Sequence, residues 1–136
     1  MTRDRYVRAV TVVRVIDGDT FICDVSLGFY VTVRMSCRLA GINAPEHDQP
    51  GGSEVRTALA GMLRRGAVTV ESVRADKYAG RFDAVVFVAE PTDSAGVYRA
   101  WHVNGWLVEQ GYAVEWAGTG PRPPVPWPPS GVASHG

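Results

Sequence analysis

Over the N-terminal part of the chain apolar, largely β-branched residues alternate in part with polar ones, the pattern of a strand with one buried face. Tyr6 to Val15 (YVRAVTVVRV) is β-branched and partly alternating, and Thr20 to Val25 (TFICDV) has the same character. Between them stands Asp17-Gly18, and Asp-Gly between apolar runs is a signature of a tight hairpin turn. Ser26-Leu27-Gly28 reads as a second turn and Phe29 to Leu39 (FYVTVRMSCRL) as a third, longer strand. The three make an antiparallel meander.

The period then changes. GINAPEHDQPGG, residues 41–52, is a run of turn formers and reads as a loop. After it Val55, Leu59, Met62 and Leu63 fall close to helical spacing, with Ser53 as the expected N-cap, Glu54 in the first turn and Gly66 as the expected C-cap. Ala67 to Val73 returns to strand, RADKYAGRFD forms a polar hairpin, and Ala84 to Ala89 is a fifth strand. WHVNGWLVEQ, residues 101–110, reads as a short helix closed by Gly111. This order fits a mainly β chain of α+β class. It predicts a five-stranded Greek-key barrel of OB type, with a helix between strands three and four and a short C-terminal helix.

Composition changes the picture at the C-terminus. AGTGPRPPVPWPPSGVASHG, from Ala117 on, holds six of the nine prolines. The expectation is a folded domain over 1–116 and an extended, disordered tail over 117–136, with a bare PxxP as a weak signal for partner binding. A chain of 136 residues, 46% hydrophobic and 21% charged, suits one globular domain. No apolar run is long enough to span a bilayer, and MTRDRYVRAVTVV lacks the uninterrupted apolar segment of a signal peptide. A cytoplasmic monomer with no membrane partner is expected, with a viral origin or an unusual export route left open.

Cys23 and Cys37 fit no metal-binding spacing and sit in apolar strands, which favours buried free thiols over a disulfide. Fourteen basic and fourteen acidic residues cancel, which is unhelpful to a nucleic-acid reading. All the basic residues but Lys77 are arginine. Arginine suits bidentate phosphate contacts, although genome base composition gives the same bias.

Three polar clusters have chemical potential. In Asp17, Asp19 and Thr20 a turn needs only Asp17-Gly18, and Asp is poorly suited to opening a strand. In CRLAGINAPEH, residues 37–47, Arg38 interrupts an apolar strand end, Glu46 opens a loop, and Asn43 and the Ala44 carbonyl are neutral oxygen donors for a hard cation. In DKYAGR, residues 76–81, charges flank an Ala79-Gly80 turn. Taken singly, each is explained by a turn or a solvated surface. Together they supply what phosphodiester hydrolysis requires: carboxylates for a cation, a free glutamate for water, and two guanidiniums for phosphate oxygens.

VIDGDTF (15–21), RLAGINAPE (38–46), DKYAGR (76–81) and VNGWLVEQGYA (103–113) follow one another in an order and spacing that resemble the staphylococcal nuclease, or thermonuclease-like, family. The resemblance spans roughly residues 10–116 and implies an OB barrel. It also implies a Ca²⁺-dependent endonuclease acting on DNA and RNA with little sequence preference, with Mg²⁺ or Mn²⁺ left open as substitutes. By position it implies Asp19, Asn43 and the Ala44 carbonyl as metal ligands, with Asp17 supporting the metal loop. Arg38 and Arg81 would grip the scissile phosphate, Glu46 would be the general base or order the attacking water, and Tyr78 and Lys77 would contact the nucleotide.

Three departures stand out. Asn43 is neutral where the family carries a second carboxylate, Ala79 is an extra residue before Arg81, and proline replaces a C-terminal helix. A neutral ligand lowers the charge that holds Ca²⁺. The rival class is therefore a non-catalytic OB module binding single-stranded nucleic acid or a protein partner.

Overall fold

The alternating runs pair as strands in the computed structural model, which describes residues 6–75 and 80–129. In chain order the elements are β1 (Tyr6–Asp17), β2 (Thr20–Gly28), β3 (Val31–Leu39), β4 (Ile42–Asn43), α1 (Gly52–Leu63), β5 (Ala67–Ala75), β6 (Arg81–Pro91), β7 (Tyr98–His102), α2 (Val103–Glu109) and β8 (Val114–Glu115). The main sheet runs β3-β2-β1-β5-β6-β7, and a further pairing of β3 with β6 closes it. Five strands, β1, β2, β3, β5 and β6, thus form the expected OB-type barrel, with α1 between the third and fourth of them. The closing pair is parallel, with Ser36 opposite Arg81 and Arg38 opposite Asp83.

Side-chain period 2 sorts the closing strands into two rows. Phe21 pairs with Cys37, and Cys37 with Phe82; all three are buried in the barrel core with Leu39, Leu59, Met62, Val86 and Leu107. One residue along, Thr20 pairs with Arg38, and Arg38 with Asp83. That second row faces the other way, and it sets polar groups side by side on three strands.

Local details differ from the sequence expectation where packing overrides turn chemistry. The β2–β3 turn lies at Phe29-Tyr30, after Ser26-Leu27-Gly28, and both residues have positive φ, 53° and 61°. Positive φ at two central residues suits the right-handed strand twist, although bulky side chains rarely adopt it. Helix α1 starts earlier than Ser53 allows: its N-cap is Gly51, in the left-handed region at φ 83°, with no side-chain cap. Its C-cap is Arg64, two residues before Gly66. The last helix is shorter than expected, because Tyr98–His102 continues as a strand and the His102 ring caps α2 by accepting from the Gly105 N–H at 3.0 Å. Among the described residues no helix is long and apolar enough to cross a membrane.

Asn104, in the fourth motif, ties the last helix to the barrel. Its Oδ1 accepts from the Val86 N–H at 2.9 Å, while Nδ2 donates to the carbonyls of Ala40 at 2.9 Å and Ala84 at 3.2 Å. Asn104→Ala leaves buried backbone groups unpaired and should lower unfolding free energy by about 2–4 kcal/mol, read from urea denaturation. Cys23 and Cys37 are free and buried. Burial, helped by Asp24, pushes the Cys23 thiol up to about 11, and burial pushes Cys37 well above the ordinary thiol value. Because the thiolate is the reactive form, both should resist a thiol reagent at pH 8 while folded and react once denatured; rapid labelling of the native protein would contradict this packing.

Candidate active site

The polar row meets the β1–β2 turn at Asp19. In that turn Asp17 pairs with Thr20, leaving Gly18 and Asp19 as the loop. Gly18 is not needed for a left-handed backbone, since its φ lies outside that region; it is needed for space. A Cβ there would come within 2.3 Å of Val55 Cγ1 on α1 and 3.1 Å of the Ala44 Cβ. The missing side chain lets α1 and the 43–47 loop press onto the turn.

Asp19 is only 4% exposed. Its Oδ2 accepts from the Ala44 N–H at 3.0 Å and lies 3.6 Å from an Arg38 terminal nitrogen, while Oδ1 accepts from the Thr20 hydroxyl at 3.0 Å. The Leu39 N–H donates to the Asp19 carbonyl at 2.8 Å, so backbone and carboxylate both tie the turn to the end of β3. Arg38 is itself 5% exposed. Its guanidinium donates to the Ile42 carbonyl at 3.2 Å and sits 5.2 Å from the Trp116 ring centre. Next to it in register is Asp83, buried and paired with Arg74 at 3.0 Å.

The 43–47 loop is fixed at both ends. A two-residue ribbon pairs Ile42 with Glu115 and Asn43 with Val114, and the Trp116 N–H continues it by donating to the Gly41 carbonyl at 2.8 Å. Asp17 Oδ1 accepts from the His47 N–H at 2.9 Å. The Gln49 side chain accepts from the Glu46 N–H at 2.8 Å. Glu46 projects from this loop, half exposed, with its Oε1 3.2 Å from Arg122. Asn43 and Glu46 line one cavity of about 430 Å³, whose opposite wall is the stretch from Arg122 to Trp127. Residues 117–129 carry no helix or strand, yet they are anchored: Asn43 Nδ2 donates to the Pro123 carbonyl at 3.0 Å, and the Trp127 ring lies 6.3 Å from that of Tyr112.

A sequence model of the family described as Staphylococcal nuclease homologue matches residues 36–122. The chain belongs to the staphylococcal nuclease family. It is 39% identical over 106 residues to the micrococcal nuclease of Shigella flexneri, covering 78% of this chain and 56% of that protein. It is 42% identical over 106 residues to protein ParB of Escherichia coli, covering 78% of this chain and 55% of that protein. The chain thus spans about half the length of the curated relatives it matches.

Within this staphylococcal nuclease fold, Asp17, Asp19, Arg38, Asn43 and Ala44 converge on one end of the barrel, with Glu46 on the same loop. Arg81 is half-buried on the strand beside Arg38, two positions out of its register. Lys77 and Tyr78, with the extra Ala79, lie outside the described residues. Sequence reasoning missed Trp116 and Arg122, whose ring and guanidinium lie 5.5 Å apart. The signal for Trp116 was a tryptophan just beyond the fourth motif at the end of the expected domain, and for Arg122 an arginine in the stretch set aside for its prolines.

The donor set suits a hard divalent cation in kind, though it is thin in charge. Asn43 is 5% exposed, and its Oδ1 has no hydrogen-bond partner among the described residues. A buried amide oxygen on a loop whose next residue binds the Asp19 carboxylate is an oxygen donor of the type Ca²⁺ takes. Among the described residues no group of three or more His, Cys, Asp or Glu is gathered for a metal. Asp19 has a structural duty as well. Asp19→Ala strands the buried Arg38 charge and the Ala44 N–H, and should cost about 2–4 kcal/mol of stability. Asp19→Asn keeps an oxygen for that N–H and should cost distinctly less. Equal losses in urea unfolding would contradict the compensation described here.

Proposed function

We propose that this chain is a Ca²⁺-dependent endonuclease hydrolysing phosphodiester bonds of DNA, RNA or both with little sequence preference. The observation that carries the reading is the position of Asp19, one carboxylate in contact with both the 43–46 loop and Arg38. It joins the first two motifs in a chain of a nuclease family. Ca²⁺, held by Asp19, Asn43 Oδ1 and the Ala44 carbonyl, would supply positive charge against the charge that develops on the phosphoryl oxygens.

The chain's own residues do the rest. Arg38 and Arg81 take phosphoryl oxygens in their planar forks and stabilise the crowded phosphorus as water adds. Glu46 orients that water and accepts its proton while the leaving oxygen departs. Before substrate arrives, both charged groups at the centre have other partners: Arg38 has Asp19, and Glu46 has Arg122. A phosphate entering at Arg38 takes a cation from a carboxylate, so substrate and metal should favour each other's binding, each restoring the charge balance the other disturbs. The same engagement accounts for a near-neutral chain acting on a polyanion. Arg38 and Arg122 rest on carboxylates, and phosphate replaces the carboxylate at Arg38.

The burial of Arg38 is the observation that favours the rival class, a non-catalytic OB module. One assay separates the two. Purified protein is incubated with plasmid and with single-stranded DNA in Ca²⁺, beside a chelator control and Glu46→Gln. Chelation should abolish cleavage, and Glu46→Gln should slow it by about a hundredfold or more. Cleavage unchanged in both controls would assign the activity elsewhere, whereas salt-sensitive binding without cleavage would support the binding module.

A further inference from the structure

The Asn43 side chain presents a problem of orientation. Its amide has an oxygen end and a nitrogen end of nearly equal size, and only the oxygen can ligate a cation. A carboxylate in the same place would have no wrong way round. Whichever group meets one end of the amide therefore decides which atom the other end offers.

In this chain the group is the carbonyl of Pro123, which accepts from Asn43 Nδ2 at 3.0 Å. Pro123 and Pro124 have no backbone N–H, so here the strand of tail crossing Asn43 offers acceptors only. The amide must turn its NH₂ group to the tail and its oxygen away. That oxygen is the buried Oδ1 without a partner. The tail is in turn held by Trp127, whose ring packs where a Cβ of Gly51 would be, 2.3 Å from its nearest ring carbon.

We propose that the proline-rich segment from Pro121 to Trp127 is a positioning strap, which fixes the Asn43 amide with its oxygen presented to the cation site and thereby makes a neutral residue serviceable as a metal ligand. Pro123 acts through its carbonyl and Trp127 through its anchorage; neither touches metal or substrate. The inference rests on the cation site proposed above, but it makes a separate prediction about affinity.

The test is a thermodynamic cycle on the full chain, with Ca²⁺ titrated by calorimetry and no nucleic acid present. Trp127 carries no charge, so its truncation leaves the local field unchanged. Trp127→Ala should weaken Ca²⁺ binding by about three- to tenfold, the scale of one hydrogen bond. In an Asn43→Asp background the same truncation should leave Ca²⁺ affinity within about twofold, since both ends of that side chain are oxygen. Trp127→Leu, a milder truncation, serves if thermal melting shows Trp127→Ala to be unfolded.

Equal weakening in both backgrounds would reduce the strap to a general structural support and overturn the proposal. So would unchanged or tighter binding in the Asn43 background. Ca²⁺ binding by Asn43→Asp alone would overturn it too, by showing that the native amide is not presented to an ion. If neither protein binds Ca²⁺, the proposed cation site fails, whereas the nuclease reading stands or falls on the DNA assay.

Discussion

A carboxylate almost wholly removed from water has to be compensated by donors or cations nearby, because an isolated buried charge is far costlier than any single contact around it. Asp19 meets this requirement with the Ala44 N–H, the Thr20 hydroxyl and the Arg38 guanidinium. These partners come from the loop after β4, the start of β2 and the end of β3. The turn, the strand end and the 43–47 loop are therefore fixed relative to one another by one side chain. Arg38 extends the chain of dependence to the Ile42 carbonyl and the face of Trp116. Moving any one of them leaves a buried charge short of a partner.

Such an arrangement needs close approach before it needs charge. The turn can lie under α1 and against Ala44 only because residue 18 has no side chain. The Asp-Gly pair in VIDGDTF looks like a turn selected for backbone freedom, and a turn is what forms. The glycine, however, is required by its neighbours in space. A local pattern signals the turn equally well under either cause, and only the packing of a distant helix distinguishes them.

The same distinction explains how much of the molecule was legible from its residues. Strands β1, β2, β3, β5 and β6 were readable because period 2 is a local pattern with a direct cause, one buried face. The grouping of the first two motifs in one site came from the family resemblance and not from any local pattern. The Phe29-Tyr30 turn was not legible, because aromatic residues at positive φ contradict local preference and are held there by the pairing of Gly28 with Val31. The Gly51 cap was missed because Ser53 is the better capping residue by chemistry; the chain enters the helix earlier, where the 46–52 loop folds back with the Gly52 N–H on the Gln49 carbonyl. Strands β4 and β8, two residues each, carry no periodic signal at all. They nevertheless aim Asn43 and bring Trp116 to Arg38.

The proline-rich stretch shows the limit of compositional reasoning most clearly. Many prolines and few apolar residues argue against a helix, a strand or a core of the segment's own, and residues 117–129 carry neither helix nor strand. It does not follow that the segment is without position. An extended chain keeps its carbonyls unpaired along its length, so it is well suited to meet a surface that offers donors. The Asn43 amide meets the Pro123 carbonyl in that way; the Arg122 side chain adds an ion pair to Glu46, and Trp127 adds one large ring for anchorage. Each contact is small, and the exposed ion pair least of all. What they accomplish together is orientation rather than stability, and orientation is the property that a neutral amide lacks and a carboxylate does not need.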